Sequence, residues 1–88
     1  MKLKQGFEIM EIAGDYMVIP TGSNMASFGG SVVVNEVSAF LLEAMKNDIS
    51  EEELLEKMLN EYAVDRDTAA RDLAEVLHTF EDLGLIER

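Results

Sequence analysis

The stretch that most restricts the fold is Ser31–Asn35, S-V-V-V-N, with the run E-V-S-A-F-L-L-E-A-M-K directly behind it. β-Branched side chains crowd a helix and fit a pleated strand, so three consecutive valines predict a short, stiff β-strand. Side chains alternate across a strand, which puts Val32 and Val34 on one face and Val33 on the other. A strand apolar on both faces needs cover on both sides or a partner beside it. Asn35 ends the strand and suits the N-cap of a following helix, with Glu36 favourably placed in the first turn.

Upstream, Phe7–Ala13 reads as a strand, with Phe7 and Ile9 on one face and Met10 and Ile12 on the other. Gly14-Asp15 predicts a type II′ hairpin turn, and Tyr16–Ile19 the return strand. Pro20 has no N–H for a ladder, so it marks the strand's end or an edge. Gly22–Asn24 reads as a turn and Met25–Phe28 as an extension of strand structure, before Gly29-Gly30 opens the valine strand.

Downstream the period becomes helical. Val37, Phe40, Leu41, Ala44 and Met45 share one face, with Leu42 off it and directed to a second helix. Ser50 and Glu53 form an S-x-x-E capping box ahead of the stripe Leu54, Leu55, Met58, Leu59 and Tyr62. Asp65 is the next N-cap, with Ala69, Leu73, Val76, Leu77 and Phe80 inward on the last helix. Gly84 suits its C′ position, which lets Leu85-Ile86 fold back onto the core. The order β-β-β-α-α-α implies an α+β domain, a three-stranded antiparallel sheet followed by a three-helix bundle, and this order is also winged-helix-like. With 88 residues and no linker, a single domain over 1–88 is expected.

The net charge of −11 is unevenly placed: residues 36–88 hold five bases and fifteen acids. That half repels a polyanion, so nucleic acid is not an expected partner. No apolar run reaches membrane-spanning length and no signal peptide is apparent, so a cytoplasmic protein without a membrane partner is expected. Cysteine is absent, which removes thiolate chemistry, and His78 is the only histidine. It lies on the polar side of the last helix with no second ligand for a transition metal. Glu51, Glu52, Glu53 and Glu56 cluster at a helix start, where they offset the helix dipole as a solvated face. No serine sits in a nucleophile-elbow setting, and Gly29-Gly30 lacks a phosphate-loop pattern. No catalytic residue, metal site or cofactor is expected, and the chain does not read as an enzyme.

Binding remains. A short apolar strand at a sheet edge is a template for an extended peptide, and a helix beside it makes the edge a groove. The alternative is that Val32–Val34 are ordinary core residues, and spacing alone leaves both open. An exposed edge can also pair with itself, so a monomer or weak dimer is expected.

The ordered segments resemble the PqqD family, small proteins of pyrroloquinoline quinone biosynthesis within the wider group of RiPP recognition elements. The resemblance lies in Gly14 with Y-M-V-I-P-T-G (16–22), V-N-E (34–36) with A-F-L (39–41), and S-E-E-E-L (50–54). It continues through E-Y-A-V-D (61–65), Ala69 with Asp72-Leu73, and Leu77, Phe80, Leu83 and G-L-I (84–86). It implies a non-catalytic, winged-helix-like domain that binds the leader of a ribosomally made precursor peptide. The peptide is then presented to a modifying enzyme, commonly a radical SAM protein. The leader adds as a strand beside the third strand, against the third helix, here Ser31–Asn35 and Asp65–Leu83. The implied peptide-binding residues are Ser31, Val32, Val33 and Val34, with Asp72, Val76 and Thr79 as the chosen helix flank. The opposite flank is Ala70, Ala74 and Leu77. Asp72 belongs to the resembling motif and can pair with a basic leader residue, or it can make a structural bond to nearby backbone. A winged-helix DNA-binding regulator and an adaptor that docks only to an enzyme are the competing readings.

Overall fold

The computed structural model describes the backbone of residues 1–88 and all side chains except those of residues 27 and 28. Five strands and four helices follow in the order β1 (Lys2–Leu3), β2 (Phe7–Ile12), β3 (Asp15–Pro20), α1 (Asn24–Phe28), β4 (Val32–Val34), α2 (Glu36–Ala44), α3 (Glu51–Glu61), α4 (Arg66–Asp82) and β5 (Ile86–Glu87). The expected α+β arrangement holds: β2, β3 and β4 form an antiparallel sheet with β3 in the middle, and the three long helices follow it.

Alternation gives the sheet its two faces. Ile9, Val18 and Val32 stand in one cross-strand row, and Val18 is fully buried. Val32 and Val34 are half-buried against the same core. Leu41, Leu42, Met45, Leu54, Leu73, Leu77 and Leu85 fill its centre.

Three expectations change. The hairpin turns at Ala13-Gly14, not Gly14-Asp15, because Ile12 pairs with Asp15. Both turn residues have positive φ (53° and 87°), which is type I′ geometry and matches the twist of the strands. Met25–Phe28 lies in a short helix rather than a strand. The Asn24 side chain fixes its start by donating to the carbonyls of Gln5 and Gly6 at 3.0 and 3.1 Å. Gly6 must be glycine there: its φ is 89°, and a Cβ would collide with the Asn24 amide. On α2, Leu42 is not off the core stripe but fully buried within it, beside buried Ser38, Leu41 and Met45. A helix lying under the sheet and beside α3 is covered on two sides, so its apolar stripe widens.

The caps agree with the sequence. Asn35 accepts from the Ser38 N–H at 2.8 Å, and Ser50 and Glu53 complete the capping box. Asp65 accepts from the Thr68 N–H at 3.1 Å. Helix α4 ends in a Schellman motif, with Leu85 N–H on the Phe80 carbonyl and Gly84 N–H on that of Glu81. The chain then turns back as β5, which pairs with β1 and buries Ile86 and Leu3. The β1–β5 ribbon was not legible in the sequence, since two-residue strands carry no period.

The capping bonds hold the Glu53 and Asp65 carboxyls below their ordinary values of 4.5 and 3.8, through the N–H and hydroxyl of Ser50 and of Thr68 respectively. A carboxyl depressed in the folded state stabilises above its unfolded pKa and loses that contribution as pH falls through the folded one. The urea midpoint is therefore expected to drop as pH is lowered from 6 toward 3. Ser50→Ala is expected to cost about 1 kcal/mol near neutral pH and to make the acid loss shallower, read from urea unfolding at a series of pH values.

Candidate functional site

Strand β4 is bonded to β3 through the pairs Tyr16–Val34, Met17–Val33 and Val18–Val32, and among the described residues no strand lies on its other side. Residues of an antiparallel ladder alternate between pointing their N–H and C=O at the neighbour and away from it. One side of β4 therefore presents main-chain groups to solvent. Gly29-Gly30 precedes it with φ of 83° and 132°, and the Asn35 cap ends it, so the open edge is only three residues long. Val33 faces away from the core and is 63% exposed, while Val32 and Val34 face inward.

The outward face carries an apolar row. Met10, Met17 and Val33 stand in register across β2, β3 and β4, with Met10 44% exposed and Ile12 beside it at 45%. This row ends at the open edge of β4.

The site residues expected on α4 lie on one flank. Val76 is half-buried against the core that also receives Val32 and Val34. Asp72 and Thr79 are exposed. Asp72 has no hydrogen-bond or ion-pair partner among the described residues, so the structural bond weighed for it is not present. The Thr79 hydroxyl donates to the Glu75 carbonyl of its own helix at 3.2 Å. Of the opposite flank, Leu77 is fully buried in the core. Ser31 is exposed just ahead of β4. His78 is also exposed, 3.4 Å from Asp82 and away from these residues along the helix surface.

A second feature was missed by sequence reasoning. A cleft of about 390 Å³ opens along β2, lined by Ile9, Met10, Glu11 and Tyr16, by Glu36, Ala39, Phe40 and Glu43 of α2, and by Glu61 and Tyr62. The α2 residues are spaced i, i+3, i+4, i+7, one face of a helix. Phe40 and Tyr62 meet edge to face with ring centres 5.6 Å apart. The pairing Glu36/Phe40/Glu43 was visible in the sequence, but Glu11 and Glu61 reach the cleft only through folding.

The clustered carboxylates perturb both tyrosines. The charge of Glu11 raises the Tyr16 pKa above 10.0, with partial burial and Glu36 adding to it. Burial is the main cause for Tyr62, followed by Glu36, Glu61 and Tyr16. Since Tyr16 and Tyr62 are the only tyrosines and tryptophan is absent, alkaline titration at phenolate wavelengths reads this cleft alone. Both are expected to ionise above 10.0, and Glu36→Gln is expected to lower both midpoints.

No helix among the described residues is long and apolar enough to cross a membrane. The family model described as "Coenzyme PQQ synthesis protein D (PqqD)" matches residues 15–86. No curated protein sequence gives a significant match. Among solved structures, "TbiB1 in Complex with the TbiA(beta) Leader Peptide" superposes with a TM-score of 0.79 at 22% identity, covering 99% of this chain and 95% of that one. "Lasso peptide synthetase B1 complexed with the leader peptide" gives 0.76 at 17% identity, covering 99% and 96%. These likenesses establish a shared fold.

Proposed function

The chain belongs to the PqqD family, and on that premise we propose that it is a non-catalytic binding protein for the leader of a ribosomally made precursor peptide. It presents that peptide to a modifying enzyme, for which a radical SAM protein is our expectation. The observation that carries this reading is the open edge of β4 beside an exposed Val33. A leader running along that edge satisfies the unpaired main-chain groups, and its outward side chains prolong the Met10–Met17–Val33 row. Both structural neighbours are complexes with leader peptides, which supports the same use of the fold here.

The packing of α3 and α4 supports a choice of helical wall for the site. Arg88 donates to Glu81 on α4 at 2.9 Å and to Glu51 on α3 at 3.3 Å. That bridge draws the Glu81 side of α4 toward α3, and Ala70, Ala74 and Leu77 lie on that same side at helical spacing. The flank of Asp72, Val76 and Thr79 is left facing away from α3. This supports it as the wall against which a leader packs, with Val76 as apolar floor and unpartnered Asp72 as the acceptor for a basic leader residue. Ser31, Val32, Val33 and Val34 form the strand side.

Titrating isotope-labelled protein with its cognate precursor peptide is expected to give micromolar or tighter binding, with amide shifts concentrated on Ser31–Val34 and the Asp72–Thr79 flank. Val33→Asp, a change at an exposed position that leaves the fold intact, is expected to weaken binding about tenfold or more, equivalent to about 1.4 kcal/mol. Shifts confined to α2 and α3 overturn the site assignment. Tight, salt-sensitive DNA binding in a gel-shift overturns the function, and so does enzyme capture that proceeds equally well without precursor.

A further inference from the structure

β4 has a counterpart. The sheet has two edges, and the aromatic cleft lies along the other one, where Ile9, Met10 and Glu11 follow one another in β2. Its lining combines three aromatic rings with four carboxylates and no basic side chain. Glu43 is engaged with Lys46 of its own helix at 3.0 Å. Glu11, Glu36 and Glu61 have no ion-pair partner among the described residues.

We propose that this cleft is a second docking site, for a lysine- or arginine-bearing segment of a partner protein, separate from the peptide held at β4. The charge of the lining selects the occupant. Three uncompensated carboxylates ring a concave surface floored by Phe40, Tyr16 and Tyr62, and a ring face attracts a cation as a carboxylate does. An aliphatic stem ending in a charge suits such a wall, because its methylenes lie on the rings while its head reaches the carboxylates. A metal ion is a poorer occupant, since among the described residues no three His, Asp or Glu side chains converge as a metal site requires. The raised Tyr16 pKa agrees, since the charge of Glu11 is its main cause, while for Tyr62 burial comes first and Glu36 and Glu61 add to it. The cleft opens between β2 and α2 and reaches Tyr16, the cross-strand partner of Val34, whereas a leader occupies the outer edge of β4; the two sites use different surfaces, so one protein can hold a peptide and a basic partner at once.

The test uses the full chain, low salt and a hexalysine peptide, with tyrosine emission as the readout. It needs no leader peptide, so its failure is separate from failure of the β4 site. Hexalysine at neutral pH is expected to change the tyrosine signal saturably. Replacing Glu11, Glu36 and Glu61 by glutamine is expected to weaken binding at least tenfold. Replacing the exposed Glu8, Glu75 and Glu87, which line no part of the cleft, is expected to weaken it no more than about threefold. Equal losses in the two triple variants overturn the proposal in favour of diffuse attraction to an acidic surface. A tyrosine signal unmoved by hexalysine, or moved equally by magnesium ion, overturns it as well.

Discussion

The one-sided pairing of β4 with β3 is the constraint on which the functional architecture rests. Three residues form the strand, and inward burial of Val32 and Val34 with the ladder to β3 holds it in place. Everything around it keeps the outer edge open. Gly29 and Gly30 take conformations few other residues accept, which brings the chain into the strand abruptly. Asn35 closes it by capping α2 one residue after the last valine. An open edge invites unwanted pairing, and a very short strand in a highly charged chain limits it. In the proposed reading, the same shortness leaves specificity to side chains on the flanking helix.

Charge divides the labour between the two edges. The helical half carries almost all of the negative charge, but its acids do different things. Glu53 and Asp65 are consumed by capping, and Glu81 and Glu51 share Arg88. Glu56 is paired with Arg66 across the α3–α4 junction. What remains uncompensated includes Asp72 on the flank proposed for the leader, and Glu36 and Glu61, which join Glu11 of β2 around the aromatic cleft. The acidic composition is thus partly spent on structural caps and ion pairs, and the carboxylates left over are those the proposed sites use.

Much of the fold was legible because its signals are local. The β-branched run, the S-x-x-E box, the Asn and Asp caps and Gly84 each act within one turn of chain, and each appears where expected. Failures came where distant residues decide. Ala13 adopts a left-handed conformation because the β2–β3 register places it in the turn, and nothing in A-G-D announces which pair turns. Met25–Phe28 became helical with its start tied to the Gln5-Gly6 carbonyls by Asn24, nineteen residues from Gln5. Leu42 was misjudged because α2 is covered on two sides. For the site, alternation separated Val33 from Val32 and Val34 but did not say which face is open; the packing of the sheet on the helices decides that, leaving Val33 exposed, whereas the cleft joins Glu11, Glu36 and Glu61 from three elements and carries no sequence period.

The central claim is that a leader adds to β4 as a fourth strand, and amide hydrogen exchange tests it most directly. Main-chain N–H groups on the open side of β4 exchange freely when unpaired and slow when a strand bonds to them. With saturating leader peptide, the account predicts new protection at alternate residues within Val32–Val34, matched by alternate protection along the peptide, while the outer N–H groups of β2 stay unchanged. Peptide binding without added protection on β4, or with protection appearing along β2 instead, contradicts it.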